Sequence, residues 1–168
     1  MLRSLVEIQM SQAKIDLRIA VVSDTHGLLR PEVLAAVHGA DHILHAGDVG
    51  DPAILQALRD IAPVTAIRGN IDTKGPCARL AATEMVELGG RFFYLVHSIA
   101  DLDISPAAAG VAAVIYGHSH KPAEERRNGV LYLNPGSVGP RRFRLPIAMA
   151  FVNVCDGQLA VETLQFEA

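Results

Sequence analysis

Lysine is almost missing from this chain: Lys14, Lys74 and Lys121 are the only three in 168 residues. With a formal net charge of −3 the sequence offers no broad basic surface, which excludes a strong nucleic-acid footprint. Cysteine is equally scarce. Cys77 and Cys155 lack the spacing of a thiolate metal site and read as free thiols of a reducing compartment, so a cytoplasmic location is expected. No stretch is long and apolar enough to span a bilayer. Residues 110–117 are apolar but far too few, and read as a buried strand, so no membrane partner is expected. An uninterrupted signal-peptide core is lacking too, because Arg3, Glu7, Lys14 and Asp16 break up the first 16 residues. That segment is expected to be an N-terminal extension, helical or poorly ordered, ahead of one domain over 17–168. There are no repeats, linkers or low-complexity tracts. Half of the chain is hydrophobic, enough for a sizeable core.

What the chain does have is a series of apolar runs, each ending in a polar cluster. Leu17–Val22 predicts a first strand. Pro31 at a first helical position, with Val33, Leu34 and Val37 on one face and Gly39 after them, predicts a helix. Ile43 and Leu44 mark a second strand, Pro52 opens a second helix carrying Ile54, Leu55 and Leu58, and Pro63–Ile67 is a third strand. This β-α-β-α-β order implies a parallel sheet with right-handed crossovers. The remainder changes character. Hairpins are predicted around Gly89-Gly90, Asn128-Gly129 and Asp156-Gly157, with a short helix near Pro106–Ala109 before a strand at Val111–Tyr116. Two sheets packed face to face, with helices outside, are expected.

The polar clusters are Asp24-Thr25-His26-Gly27, Gly47-Asp48, Gly69-Asn70, His97 and Gly117-His118-Ser119-His120. Each follows a predicted strand. Taken singly they are ordinary: Asp-x-His at a strand end caps helices, Gly-Asn makes turns, and a lone histidine is usually just hydrogen-bonded. The His-Ser-His pair is more telling, since its spacing suits one histidine for each of two neighbouring cations. Together the clusters bring hard and borderline ligands to the ends of neighbouring strands, where they can cage two divalent cations. Asp48 is a natural bridge between two cations, because its two oxygens share one negative charge.

In order and spacing these clusters, with Asn134-Pro135-Gly136-Ser137 after them, resemble the calcineurin-like metallophosphoesterase superfamily over residues 17–166. The compact length is similar to the small YfcE-type phosphodiesterase branch. The resemblance implies an α/β four-layer α/β/β/α sandwich of two mixed sheets flanked by helices. It implies a first metal site of Asp24, His26, Asp48 and His120, and a second of Asp48, Asn70, His97 and His118; these seven would be the catalytic set as well. The donors admit Mn, Fe, Zn, Co or Ni, with Mn favoured. The activity implied is hydrolysis of a small phosphate ester, such as a nucleotide, by a hydroxide formed at the dinuclear centre, with a phosphodiester preferred. Phosphomonoester hydrolysis and a non-catalytic protein-binding scaffold of the same fold are the alternatives. A homo-oligomer is compatible with the sequence.

The chain departs from the family pattern at two places. Many members follow the asparagine with histidine and a carboxylate; here the stretch is Asn70-Ile71-Asp72, so Ile71 removes a proton donor while Asp72 is kept. After His97, Ser98 and Ile99 replace the residues usual in relatives. Among other polar residues, His45 is a candidate support for the centre. His38 and His42 are expected in solvent, Asn134 and Ser137 in the site wall, and Cys155 in the core of a strand. Arg68, Arg141, Arg142 and Arg144 are candidates for contact with substrate phosphate.

Overall fold

A computed structural model describes residues 16–168. The expected N-terminal extension lies, but for Asp16, outside the described residues. Ten strands form two five-stranded mixed sheets. In the first the order is β10-β9-β1-β2-β3, where β1 is Leu17–Val22, β2 His42–His45, β3 Val64–Ala66, β9 Ile147–Cys155 and β10 Gln158–Phe166. Here β1, β2 and β3 are parallel, and β9 runs antiparallel to β1. In the second sheet the order is β4-β5-β6-β8-β7, where β4 is Thr83–Leu88, β5 Arg91–Val96, β6 Val111–Ile115, β7 Ala123–Arg127 and β8 Val130–Asn134. The central strands β5, β6 and β8 are parallel, with β4 and β7 antiparallel at the edges.

Strand alternation decides what each sheet packs against. On β1, Ile19 and Val21 join Leu44, Phe93, Leu95, Ile115, Leu131 and Leu133 in the core between the sheets. Ala20 and Val22 point the other way, onto α1 (Pro31–Ala36) and α2 (Pro52–Arg59), through Val33, Ile54, Leu55 and Leu58. Both helices start with proline at a position whose N–H needs no partner, and Asp51 caps α2 by accepting from the Ala53 N–H at 2.9 Å. On β5 the odd residues face the inter-sheet core and the even ones, Tyr94 and Val96, face outward with Val114 and Val130.

The outward face of the second sheet is covered more thinly than expected. No α-helix forms at 106–109. Those residues make a single turn, in which the Ala109 N–H donates to Ser105 O (2.9 Å) and the Val111 N–H to Pro106 O (2.9 Å). Gly110 then turns left-handed at φ +74°. One turn cannot offset the cost of nucleating a helix, so Leu102 and Ile104 cover this face from a loop that begins in a 3₁₀ turn at Ile99–Asp101. Two minor expectations also change. Cys77, not Cys155, is the buried cysteine, and His42 is not free in solvent but shares a hydrogen bond with Thr65 Oγ1 at 2.8 Å. Among the described residues no helix is long and apolar enough to cross a membrane.

Candidate metal centre

The ligand-type side chains all leave the C-terminal ends of parallel strands. Asp24 and His26 follow β1, Asp48 follows β2, Asn70 follows β3, His97 follows β5, and His118 and His120 follow β6. Because both sheets present these ends to one side, their loops meet, as ligand sites do at the carboxyl edge of parallel sheets. All seven predicted residues are brought together. Asp24, His26 and His120 form one group of donors and Asp48, His97 and His118 another, each compact enough to hold a metal ion.

The first group is tight. His26 Nε2 and His120 Nε2 are 3.2 Å apart, and Asp24 Oδ1 lies 3.3 Å from His120 Nε2 and 3.7 Å from His26 Nε2. In the second, Asn70 Oδ1 sits 3.0 Å from His97 Nε2 and 3.1 Å from His118 Nδ1. Asp48 joins the groups by one oxygen only. Its Oδ1 accepts the Ile71 N–H at 3.0 Å, while Oδ2 stands 3.4 Å from His26 Nε2 and 3.2 Å from His97 Nε2. Oδ2 alone therefore faces both groups, and it would be the oxygen to serve a cation in each.

The tautomer of His97 is fixed by its other nitrogen. The His97 Nδ1–H donates to Ala46 O at 2.7 Å, which leaves the Nε2 lone pair facing Asn70 Oδ1 and Asp48 Oδ2. Asp24 Oδ2 accepts from Ser23 Oγ–H (2.6 Å) and from the His118 N–H (3.1 Å), whereas its Oδ1 is buried without a hydrogen-bond partner. A buried carboxylate oxygen without a partner, with ring nitrogens at 3.3 and 3.7 Å, is costly unless a cation or proton sits among them. The donor set therefore fits divalent metal.

The same crowding shows in the ionisation of the groups. Burial opposes ionisation of Asp24, but the His120 imidazole and the Ser23 hydroxyl beside it prevail and hold its carboxyl below the ordinary range. Burial likewise opposes ionisation of Asp48, and the His97 imidazole and the Ile71 N–H pull it down. For His97, burial works against the proton but Asp48, Ala46 and Asp24 raise its pKa. His26 goes the other way: burial lowers it, against the pull of Asp48, and the Arg142 charge adds to the lowering. A proton at His97 competes for the place a cation would take.

Asp72, His45, Asn134 and Ser137 support the centre, and of these the role of Asp72 is the one the sequence did not suggest. The Asp72 carboxylate accepts from Val49 N–H (3.0 Å), Gly50 N–H (2.9 Å) and Gly69 N–H (2.9 Å), clamping the Asp48 loop to the Asn70 loop. It is thus fully committed and cannot orient a group at position 71. His45 is buried, and burial depresses its pKa to about 4. As neutral imidazole it accepts the Gly47 N–H at Nδ1 (3.2 Å) and donates from Nε2 to Thr25 Oγ1 (3.0 Å), whose O–H donates to Val49 O (2.8 Å). Asn134 ties the histidine loop, donating to Gly117 O and Ser119 Oγ, both at 3.0 Å, and Ser137 Oγ donates to Asp24 O at 2.9 Å. Ser23, next to Asp24 in sequence, is a further support that sequence reasoning passed over. Beside Asn70, His97 and His118 opens a cleft of about 670 Å³, walled by Arg68, Thr83, Ser98, Asp101 and Asp103.

Comparison with known proteins bears on the family and the fold. Residues 17–157 match the calcineurin-like phosphoesterase superfamily domain. A probable metallophosphoesterase of Methanocaldococcus jannaschii is 34% identical over 128 residues, covering 71% of this chain and 67% of the relative. The phosphodiesterase YfcE of Escherichia coli is 30% identical over 146 residues, covering 73% and 79%. A crystal structure from Streptococcus pneumoniae, of a protein assigned from sequence as a phosphoesterase, superposes with TM-score 0.70 at 27% identity over 89% of both chains. Vacuolar protein sorting 29 of Chaetomium thermophilum superposes with TM-score 0.71 over 91% of this chain and 97% of its own, but at 14% identity, which shows the fold alone.

Proposed function

The chain belongs to the calcineurin-like phosphoesterase superfamily, and we propose that it is a phosphodiesterase whose own residues hold two divalent cations. The family is metal-dependent. Asp24, His26, Asp48 and His120 hold the first cation, and Asp48, Asn70, His97 and His118 the second. The observation that carries this reading is the buried Asp24 Oδ1, which has no hydrogen-bond partner although His120 Nε2 and His26 Nε2 stand 3.3 and 3.7 Å away. The mixed nitrogen and oxygen donors, without thiolate, admit Mn²⁺, Fe²⁺, Zn²⁺, Co²⁺ or Ni²⁺, of which Mn²⁺ is the one proposed. Free cysteines accord with a reducing, cytoplasmic setting.

Bound cations supply Lewis acidity toward phosphoryl oxygens and lower the pKa of water into the neutral range. The chain supplies placement. Ser23 Oγ and the His118 N–H fix the rotation of Asp24, and Ala46 O fixes the tautomer of His97. The cleft beside the second group gives an ester arm room. On the leaving-group side the Ile71 side chain, 40% exposed, has no proton to give, and Asp72 is locked to the backbone. Substrates whose alcohol departs without protonation are therefore preferred.

The test is hydrolysis of a chromogenic diester and of its monoester by protein stripped with chelator and reconstituted with single metals. Activity is expected to vanish on stripping, return with Mn²⁺, and favour the diester. Full activity in metal-free protein overturns the dinuclear reading. Two metals retained with no turnover of either ester returns the chain to the scaffold alternative.

A further inference from the structure

We propose that Arg141–Arg144 form a nucleotide-binding lip beside the metal centre, on which Phe143 stacks a base while Arg142 and Arg144 face the anionic phosphate. The inference rests on the phosphodiesterase reading of the centre and names the substrate class, a diester with one nucleoside arm. Phe143 is 93% exposed and sits at φ +53°. A bulky side chain on left-handed backbone is an outlier of the sort found at ligand clamps. The tip is closed, not frayed: the Leu145 N–H donates to Arg142 O (3.1 Å), and Arg141 Nε donates to Leu145 O (3.1 Å). The fold thus holds the ring outward.

The lip is also pinned to the centre. Ser137 Oγ donates to Asp24 O (2.9 Å), the Val138 N–H to Ser23 O (3.2 Å), and Arg30 to Gly139 O (3.3 Å). Gly139 lies so close to the carbonyls of Asp24 and Thr25 that a Cβ would not fit. Residues 137–139, at the base of the lip, are thus fixed to the turn that carries Asp24 and His26. In a chain of net charge −3, three arginines fall within four residues here. Among the described residues neither Arg142 nor Arg144 has a carboxylate partner.

An exposed aromatic between unpaired arginines, at the edge of a phosphoester site, matches the chemistry of a nucleotide: a π face beside a phosphate. The patch is too small for a long nucleic-acid strand, which needs many phosphate contacts. It is also one turn with one ring, where a bilayer calls for a broad amphipathic face.

The test compares methyl p-nitrophenyl phosphate with the p-nitrophenyl ester of thymidine 5′-monophosphate, two diesters with one leaving group. The wild-type protein is expected to have the lower KM for the nucleotide ester. Phe143→Ala should shrink that KM ratio about fivefold or more, the lower end of base-stacking contributions, and Phe143→Tyr should retain it. Equilibrium dialysis of thymidine 5′-monophosphate reads the lip without turnover, and should weaken by a similar factor in Phe143→Ala. Turnover of the methyl ester with no nucleotide preference overturns the lip alone, as does a Phe143→Ala change that raises both KM values equally. Phe143-dependent nucleotide binding without turnover of either ester supports the lip and overturns the phosphodiesterase reading. Phe143-dependent flotation with anionic vesicles, without nucleotide binding, assigns the loop to a membrane and overturns the proposal.

Discussion

Five of the seven converging residues, Asp24, His26, Asp48, His118 and His120, lie on left-handed backbone. Each such residue costs roughly 1 kcal/mol or more, so the set costs on the order of 5 kcal/mol, a large fraction of a typical domain stability of about 5–15 kcal/mol. Only something that over-determines these turns keeps them. Gly69 and Gly117 help by making room, since a Cβ at Gly69 would collide with the Asp48 carboxylate and one at Gly117 with Ser23 Oγ and the Asp24 carboxylate. The consequence for Asp48 is specific. Its Oδ1 is held by the Ile71 N–H, so Oδ2 alone faces both groups. Asp48→Asn removes the shared charge and should lower affinity at both sites. His97→Ala should lower it at the second while the first still fills. Metal per chain, measured at limiting Mn²⁺, decides this, and two metals held by Asp48→Asn at wild-type affinity contradict the bridge. The chemical types of these seven residues were legible in the sequence because Asp, His and Asn after apolar runs are few. The strain beneath them was not, since φ is imposed by loops that meet only in the folded chain.

The ligands stand on loops, and the loops on one another. Asp72 joins the turn after β2 to the turn after β3, Asn134 at the end of β8 holds the histidine turn after β6, and Ser137 holds the turn after β1. Asp72→Ala leaves the N–H groups of Val49, Gly50 and Gly69 without their acceptor. Only the Val49 bond is fully buried, so at about 1–3 kcal/mol for an unsatisfied buried group the expected loss is about 1–3 kcal/mol, with weaker metal binding at Asp48 and Asn70. Urea unfolding in chelator measures the first effect, and a change below about 1 kcal/mol shows that the clamp is replaceable. Asp72→Asn, which keeps an acceptor, should lose less. Strands and helices were readable from alternation and from proline positions: β1 and α2 fall where the pattern puts them. The clamp was not, because Asp72 in sequence looks like the second half of an Asn-x-Asp motif awaiting a histidine. Its role depends on N–H groups more than twenty residues away. The outer layer over the second sheet was misread for a different reason. Pro106 and the alanines after it favour a helix, but Gly110 ends it after one turn.

Across the whole molecule the centre is a fastener between two sheets. The first sheet contributes Asp24, His26, Asp48 and Asn70; the second contributes His97, His118 and His120. Neither proposed site can be assembled from one sheet, because His120 completes the Asp24–His26 pair and His97 and His118 complete the Asp48–Asn70 pair. Away from the centre the sheets are held chiefly by apolar packing around Phe93, Leu95, Leu131 and Leu133. Metal that binds the folded protein and not the unfolded chain should therefore stabilise the pairing of the sheets as a unit. At a free metal concentration of 100 Kd, one site adds about 2.7 kcal/mol and two independent sites about twice that. For a chain of this size, ~1 kcal/mol moves Tm by about 2–4 °C, so saturation should raise Tm by roughly 10–20 °C over the chelated protein. Calorimetry across a Mn²⁺ titration reads this. His120→Ala should remove about half of the rise by emptying one site, and Asp48→Asn should remove most of it, because the bridging oxygen serves both. A Tm independent of metal concentration, in protein shown to bind two ions, means that the sheets are already as tightly joined without them. The left-handed turns at the centre would then be held by loop hydrogen bonds alone.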